Sequence, residues 1–365
     1  MPRPAISLGP TLKVMHEPQV DALMRPYQGA VPGAGVAVLQ DGIPLLRRAY
    51  GLADAEAGTA ATTATNYRLA SMSKQFTAAA ILQLMEAGRL ALDDPVRHWL
   101  PSLPAAANGM TIRHLLTHTS GLIDYEDVIP QGWTSPLRDA DVLRLLEAEN
   151  LGYFAPGASY RYSNGAYVLL ALIVERAADE RYAAYLQQRI FQPLGMQATV
   201  AFEDGVSTLA RRAFGYSAAG DSWIRTDQSL TSATLGDGGI YSSIDDLALW
   251  DAALRGEGLL RPASLRLAFA PATPTDDAAV QYGFGWRISG EVRWHSGESL
   301  GFRNVIVRFL ERRLTVIVLT NRNDPVPFGA AIAIAKVFVP EVDAAISAAA
   351  LKAPGPDSGA RPLPR

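Results

Sequence analysis

The apolar positions of this chain change period along its length. In GAGVAVLQDGIPLLRRAYG, residues 33–51, two strand-like apolar runs flank Asp41-Gly42, a dipeptide suited to a tight turn, and predict a β-hairpin. Far downstream, YGFGWRIS, EVRWHSG and NVIVRFLERRLTVIVLTN read as further strands, with Glu311-Arg312-Arg313 as the turn in the last. Between these blocks the spacing becomes helical. MTIRHLLTHTSGL, PLRDADVLRLLEAEN and AYVLLALIVERAADERYAAYLQQRIF carry apolar residues three and four apart, broken by Pro and Gly, and FTAAAILQLMEAG is a helical run ending on Gly88. A last helix is expected around FGAAIAIAKVFV.

Strands early and late with helices between them predict one sheet built from both ends of the chain, an α/β (α+β) architecture. We expect one domain over residues 12–343, with an α/β lobe (12–89 and 230–343) and a helical lobe (90–229). The remainder, 344–365, is Pro/Gly-rich and is expected to be disordered.

Composition narrows the chemistry. With 365 residues, 48% hydrophobic and 19% charged, the chain can bury a large core. A formal net charge of -3 and a pI near 6.0 leave no basic footprint for nucleic acid or an anionic membrane, so the expected partner is a small molecule. The absence of cysteine removes thiol nucleophiles, thiolate metal sites and disulfides together. The first twenty residues lack the apolar core of a secretory signal, and the longest apolar run, AYVLLALIV, is too short to span a bilayer. The expectation is a cytoplasmic protein without membrane insertion, or a periplasmic one if a leader has been removed.

One cation stands out. Of 33 Lys and Arg residues only Lys13, Lys74, Lys336 and Lys352 are lysines, and Lys74 lies in YRLASMSKQ at the start of an apolar helix. Arginine stays charged in proteins, whereas a buried lysine can lose its proton. Ser71 lies three residues before Lys74, on the same face of the first helical turn, where the amine can reach the hydroxyl and act as its base. Backbone N–H groups at a helix N-terminus favour the anion that forms on attack. Two more segments carry suitable groups. RYSNG offers the Tyr162 phenol for proton transfer and the Asn164 amide for orientation, and RWHSGES places Gly297 where a substrate can lie against the backbone.

With these residues the sequence resembles the serine hydrolases of the class C β-lactamase and penicillin-binding-protein superfamily. S-x-x-K matches Ser71-Met72-Ser73-Lys74, Y-x-N matches Tyr162-Ser163-Asn164, and His295-Ser296-Gly297 fills the K-T-G position. LLTHTSGL, PLGM, GGIYSS and HSGESLGFRN extend the likeness over residues 33–339. The resemblance implies a β-lactamase/transpeptidase-like fold, an antiparallel sheet flanked by helices with an inserted helical lobe. It also implies an acyl-enzyme on Ser71, proton exchange through Lys74 and Tyr162, and Asn164 holding Lys74 and the substrate amide. The oxyanion hole would be the backbone N–H groups of Ser71 and Glu298. No metal or other cofactor is implied. The departure is His295, where β-lactamases of this class carry lysine. H-x-G is familiar among D-amino-acid peptidases and related esterases, so the expected substrates are esters, amides or D-amino-acid compounds. Ser296 would supply a hydroxyl and Arg303 a charge to the substrate. The alternatives are a class C-like β-lactamase and a penicillin-binding sensor that traps the acyl group.

Other patterns weigh less. Gly297 to Gly301 spells G-x-S-x-G around Ser299, but the histidine of a nucleophile elbow must follow the serine and all five histidines precede it. His114 and His118 stand four apart on an expected helix, with no Glu between them and no third ligand in view, and read as helix packing. Ser73 has no basic partner at the required spacing.

Overall fold

The computed structural model describes residues 10–342 except residue 257, so the segment 344–365 lies outside the described residues. Its main sheet has eight strands: β1 (Ala34–Gln40), β2 (Ile43–Tyr50), β3 (Thr273–Pro274), β4 (Gln281–Tyr282), β5 (Arg287–Ser289), β6 (Val292–Ser299), β7 (Phe302–Phe309) and β8 (Leu314–Thr320). Their order is β3-β4-β5-β6-β7-β8-β1-β2, antiparallel throughout. The seam between β1 and β8 runs from Ala34 opposite Thr320 to Gln40 opposite Leu314, joining the two ends of the chain. Asp41 and Gly42 turn the first hairpin with φ of 56° and 79°, the left-handed pair that such a turn requires.

Both faces of the sheet are covered, which is why β1, β7 and β8 read as continuous apolar runs instead of alternating ones. Val36, Val38, Val305, Val307, Val316 and Val318 face α1 (Pro10–Leu23) and the C-terminal Phe328–Phe338 helix. Ala37, Leu39, Ile306, Ile317 and Leu319 face the helical side and share one apolar core with α2 (Lys74–Glu86). Helix Ile244–Ala253 packs on that same face and is pinned by a buried ion pair, Arg308 Nε donating to Asp251 Oδ1 at 2.8 Å.

The helical region surrounds helix Asn164–Ala178, whose NGAYVLLALIVERAA sequence is apolar on nearly every side because α2, Asp139–Ala148 and Ile112–Leu116 enclose it. The long pattern read as one helix breaks at Asp179, whose φ of 59° ends it, and resumes at Tyr182–Leu186. The helix expected in MTIRHLLTHTSGL is only Ile112–Leu116, so His118 lies beyond it, also left-handed at φ 58°. Among the described residues no helix is long and apolar enough to cross a membrane.

Candidate active site

The turn that carries Ser71 is a short 3-10 segment, Ala70–Ser73, which leads directly into α2 at Lys74. Ala70 holds φ at 49°, a conformation that costs a residue with a Cβ about 1 kcal/mol or more and that sets off the serine from its buried neighbours. Strand β6 runs against this turn. A Cβ on Gly297 would collide with the Leu69 carbonyl oxygen, so only glycine admits so close a crossing.

Lys74 is fully buried, and its Nζ has three partners: Ser71 Oγ at 3.1 Å, Asn164 Oδ1 at 2.7 Å and the Asp237 carbonyl oxygen at 3.0 Å. Two of these are pure acceptors. A neutral amine that donates its two hydrogens to Asn164 and Asp237 is left with its lone pair towards Ser71 Oγ, the arrangement a general base needs. Burial lowers the Lys74 pKa to about 8; the charge of Arg287 adds a little, and Asp237, Glu126 and Asp124 oppose it. At pH 7 about one tenth of the molecules then hold Lys74 neutral. The base works deprotonated, so kcat/KM should climb with pH on a limb centred near 8 and level off above it. A flat pH–rate profile from 6 to 9 would exclude Lys74 as that base.

Asn164 begins the central helix beneath this amine. Its Oδ1 accepts from Lys74 and its Nδ2 donates to Glu126 Oε1 at 3.1 Å, which fixes the amide orientation. Neither Glu126 nor its neighbour Asp124 was identified from the sequence. Asp124 is buried and accepts from Ser163 Oγ at 2.6 Å and Gly165 N at 3.1 Å, anchoring the turn before the helix. Glu126 meets solvent, yet lost hydration, then Asp124 and Asp237, push it up to about 7 against the Asn164 hydrogen bond and Lys74.

The half-buried Tyr162 ring has Lys74 Nζ 4.9 Å from its centroid and the Arg287 guanidinium 5.7 Å away. The ring also neighbours His118, at 4.3 Å between ring centres. Arg287, on β5, is a second site residue that the sequence did not single out; its fixed charge acts on Lys74, His118, His295 and Glu298.

Strand β5 begins only at Arg287, opposite Trp294, so its ladder with β6 does not extend to His295 and beyond. His295 is buried. Its Nδ1 lies 2.6 Å from the Ser296 carbonyl oxygen, which can only accept, so Nδ1 carries the proton and Nε2 accepts from the Tyr282 hydroxyl at 2.9 Å. Burial holds this imidazole neutral, its pKa well below the usual histidine value. Alternation turns His295 and Gly297 towards α2, and Ser296 and Glu298 towards the opposite face. Arg303 pairs across the ladder with Glu298, Nε to Oε2 at 3.6 Å, and donates from Nη1 to the Ser299 and Phe302 carbonyls at 2.8 Å each. The structure thus gathers Ser71, Lys74, Asn164 and Tyr162 around one amine, sets Gly297 and His295 against them, and commits Arg303 to its own hairpin.

The weaker patterns resolve into packing. Ser299 ends β6 at a strand-to-strand turn with no helix after it. His114 Nδ1 accepts the Thr111 N–H at 3.2 Å as part of a helix cap, and Ser73 Oγ accepts the Ile240 N–H at 3.2 Å.

Comparison with known proteins agrees with this architecture. The family model described as Beta-lactamase matches residues 20–339. The chain is 33% identical over 316 residues to penicillin-binding protein 4* of Bacillus subtilis (strain 168), covering 81% of this chain and 70% of the relative. It is 31% identical over 314 residues to the D-aminopeptidase of Gluconobacter oxydans (strain 621H), covering 84% of this chain but 58% of that protein's length. The solved D-amino acid amidase from Ochrobactrum anthropi SV3, complexed with L-phenylalanine amide, superposes with a TM-score of 0.75 at 25% identity, over 90% of this chain and 97% of the other. With the family model matching from β1 through β8, the chain belongs to the β-lactamase family.

Proposed function

We propose that the protein is a serine hydrolase that cleaves esters and amides of small carboxylic acids through an acyl-enzyme on Ser71, and that its amide substrates are D-amino-acid derivatives with a free ammonium group. The observation that carries the hydrolase reading is the buried Lys74 amine, bonded to Ser71 Oγ and held by Asn164 and Asp237. Lys74 takes the Ser71 proton as Oγ attacks the carbonyl. The backbone N–H groups of Ser71 and Glu298 receive the oxyanion, and Tyr162 passes the proton to the leaving group. Water then attacks the ester, with Lys74 and Tyr162 returning the proton to Ser71.

The substrate half of the reading rests on Glu126 and on the relatives. A solvent-exposed carboxylate, bonded to the same Asn164 amide that touches Lys74, can ion-pair with an ammonium on the acyl group. The relatives with D-aminopeptidase and D-amino acid amidase names supply the stereochemistry of the proposal. A neutral, internally bonded His295 offers no fixed charge to an antibiotic carboxylate, which ranks β-lactams below esters.

Steady-state rates on D-alaninamide, L-alaninamide, p-nitrophenyl acetate and a chromogenic cephalosporin test both halves. The expected order is ester above cephalosporin, and D-amide above L-amide. Glu126→Gln should lower kcat/KM at least about tenfold more for D-alaninamide than for the ester, the scale of one charge-assisted contact. A cephalosporin hydrolysed faster than the ester, or equal loss on amide and ester, would replace this reading.

A further inference from the structure

We propose that His118 is a positioning residue that holds the Tyr162 phenol in place for proton transfer, an inference that rests on the role given to Tyr162 above. Tyr162 belongs to no helix or strand and lies on the segment that leads into the Asn164–Ala178 helix. His118 holds three consecutive residues of that segment. Its carbonyl oxygen accepts the Arg161 N–H at 2.9 Å, its Nδ1 accepts the Ser163 N–H at 3.1 Å, and between them its imidazole lies 4.3 Å from the Tyr162 ring at 34°. The segment is thus fixed on both sides of the tyrosine and along its ring.

The far side of His118 is fixed too. The ring is fully buried, with Tyr167 at 5.1 Å and Tyr282 at 4.5 Å, and Tyr282 is in turn tied to His295. Because Nδ1 accepts a backbone N–H, the proton of the neutral ring sits on Nε2. Burial, aided by the charges of Lys74 and Arg287, keeps the ring uncharged, so the acceptor stays available. The left-handed backbone at φ 58° turns this side chain back over residues 161–163.

Two substitutions separate the parts of this device. His118→Asn keeps an acceptor oxygen in the place of Nδ1 and suits a left-handed backbone, but it removes the ring beneath Tyr162. His118→Phe keeps a ring and removes the acceptor, leaving the Ser163 N–H unpaired.

A double-mutant cycle between His118→Asn and Tyr162→Phe, measured as kcat and KM on D-alanine p-nitroanilide, tests the proposal. Tyr162→Phe alone should cost about a hundred-fold in kcat, the scale of a positioned acid-base group. His118→Asn should lower kcat about tenfold with little change in KM, and add less than about twofold when Tyr162 is already Phe. An equal loss in both backgrounds would show that His118 only supports the fold and would overturn the proposal. No loss from Tyr162→Phe itself would overturn both this inference and the proton-transfer role of Tyr162. If His118→Asn does not fold, His118→Phe enters the same cycle with the same two outcomes.

Discussion

Ser71→Ala is expected to lose about a million-fold in kcat while the protein stays folded, because removing the nucleophile of a cooperating set costs about as much as removing the whole set. The fold should survive because Ser71 is half-buried on a turn whose neighbours Leu69, Ala70 and Met72 provide the packing. Its Oγ bonds to Lys74 Nζ, which keeps Asn164 and the Asp237 carbonyl as partners when the hydroxyl goes. Turnover by stopped assay and melting temperature by calorimetry decide the matter. Residual activity within a hundred-fold of the parent, in a sample free of contaminating hydrolase, would assign the nucleophile elsewhere.

Lys74→Arg should be nearly as damaging as Lys74→Ala, each costing about a thousand-fold or more in kcat, within the range for a lost general base. The guanidinium retains charge but cannot give up its proton near neutral pH, so it leaves Ser71 Oγ without a base. It is also larger and planar. The site offers one amine three partners at 2.7–3.1 Å, a compact set that fits a point-like ammonium better than a planar guanidinium fork. Arginine supporting kcat within tenfold of lysine would mean that position 74 supplies only charge, and the alkaline limb near pH 8 should then be absent.

The strongest sequence signals were local ones. Asp41-Gly42 marks its hairpin because few other dipeptides tolerate two left-handed residues, and the Ser71 to Lys74 spacing reports a contact within a single turn. Contacts made between distant segments left less trace. Glu126 meets Asn164 only because a loop after Gly121 folds beneath the central helix, and Arg287 reaches Tyr162 only through the β5–β6 register. The run of Asp124, Glu126 and Asp127 beside an otherwise apolar stretch was a local hint of the carboxylates near Asn164. His295 shows the same limit. Its motif position was legible, whereas the Tyr282 hydroxyl that occupies its second nitrogen belongs to another strand. The helix break at Asp179 carries no Gly or Pro, so the periodic pattern ran through it unmarked.

Turnover through an acyl-enzyme requires that Ser71 Oγ become covalently acylated. Acid quench of the protein during hydrolysis of a p-nitrophenyl ester, followed by intact mass and peptide mapping, tests it most directly. One acyl group per chain is expected, on the peptide containing Ser71, absent from Ser71→Ala and slow to form in Lys74→Arg. An acyl group on Ser73 or Ser299 instead, or undiminished turnover with no covalent adduct at any time, would contradict it.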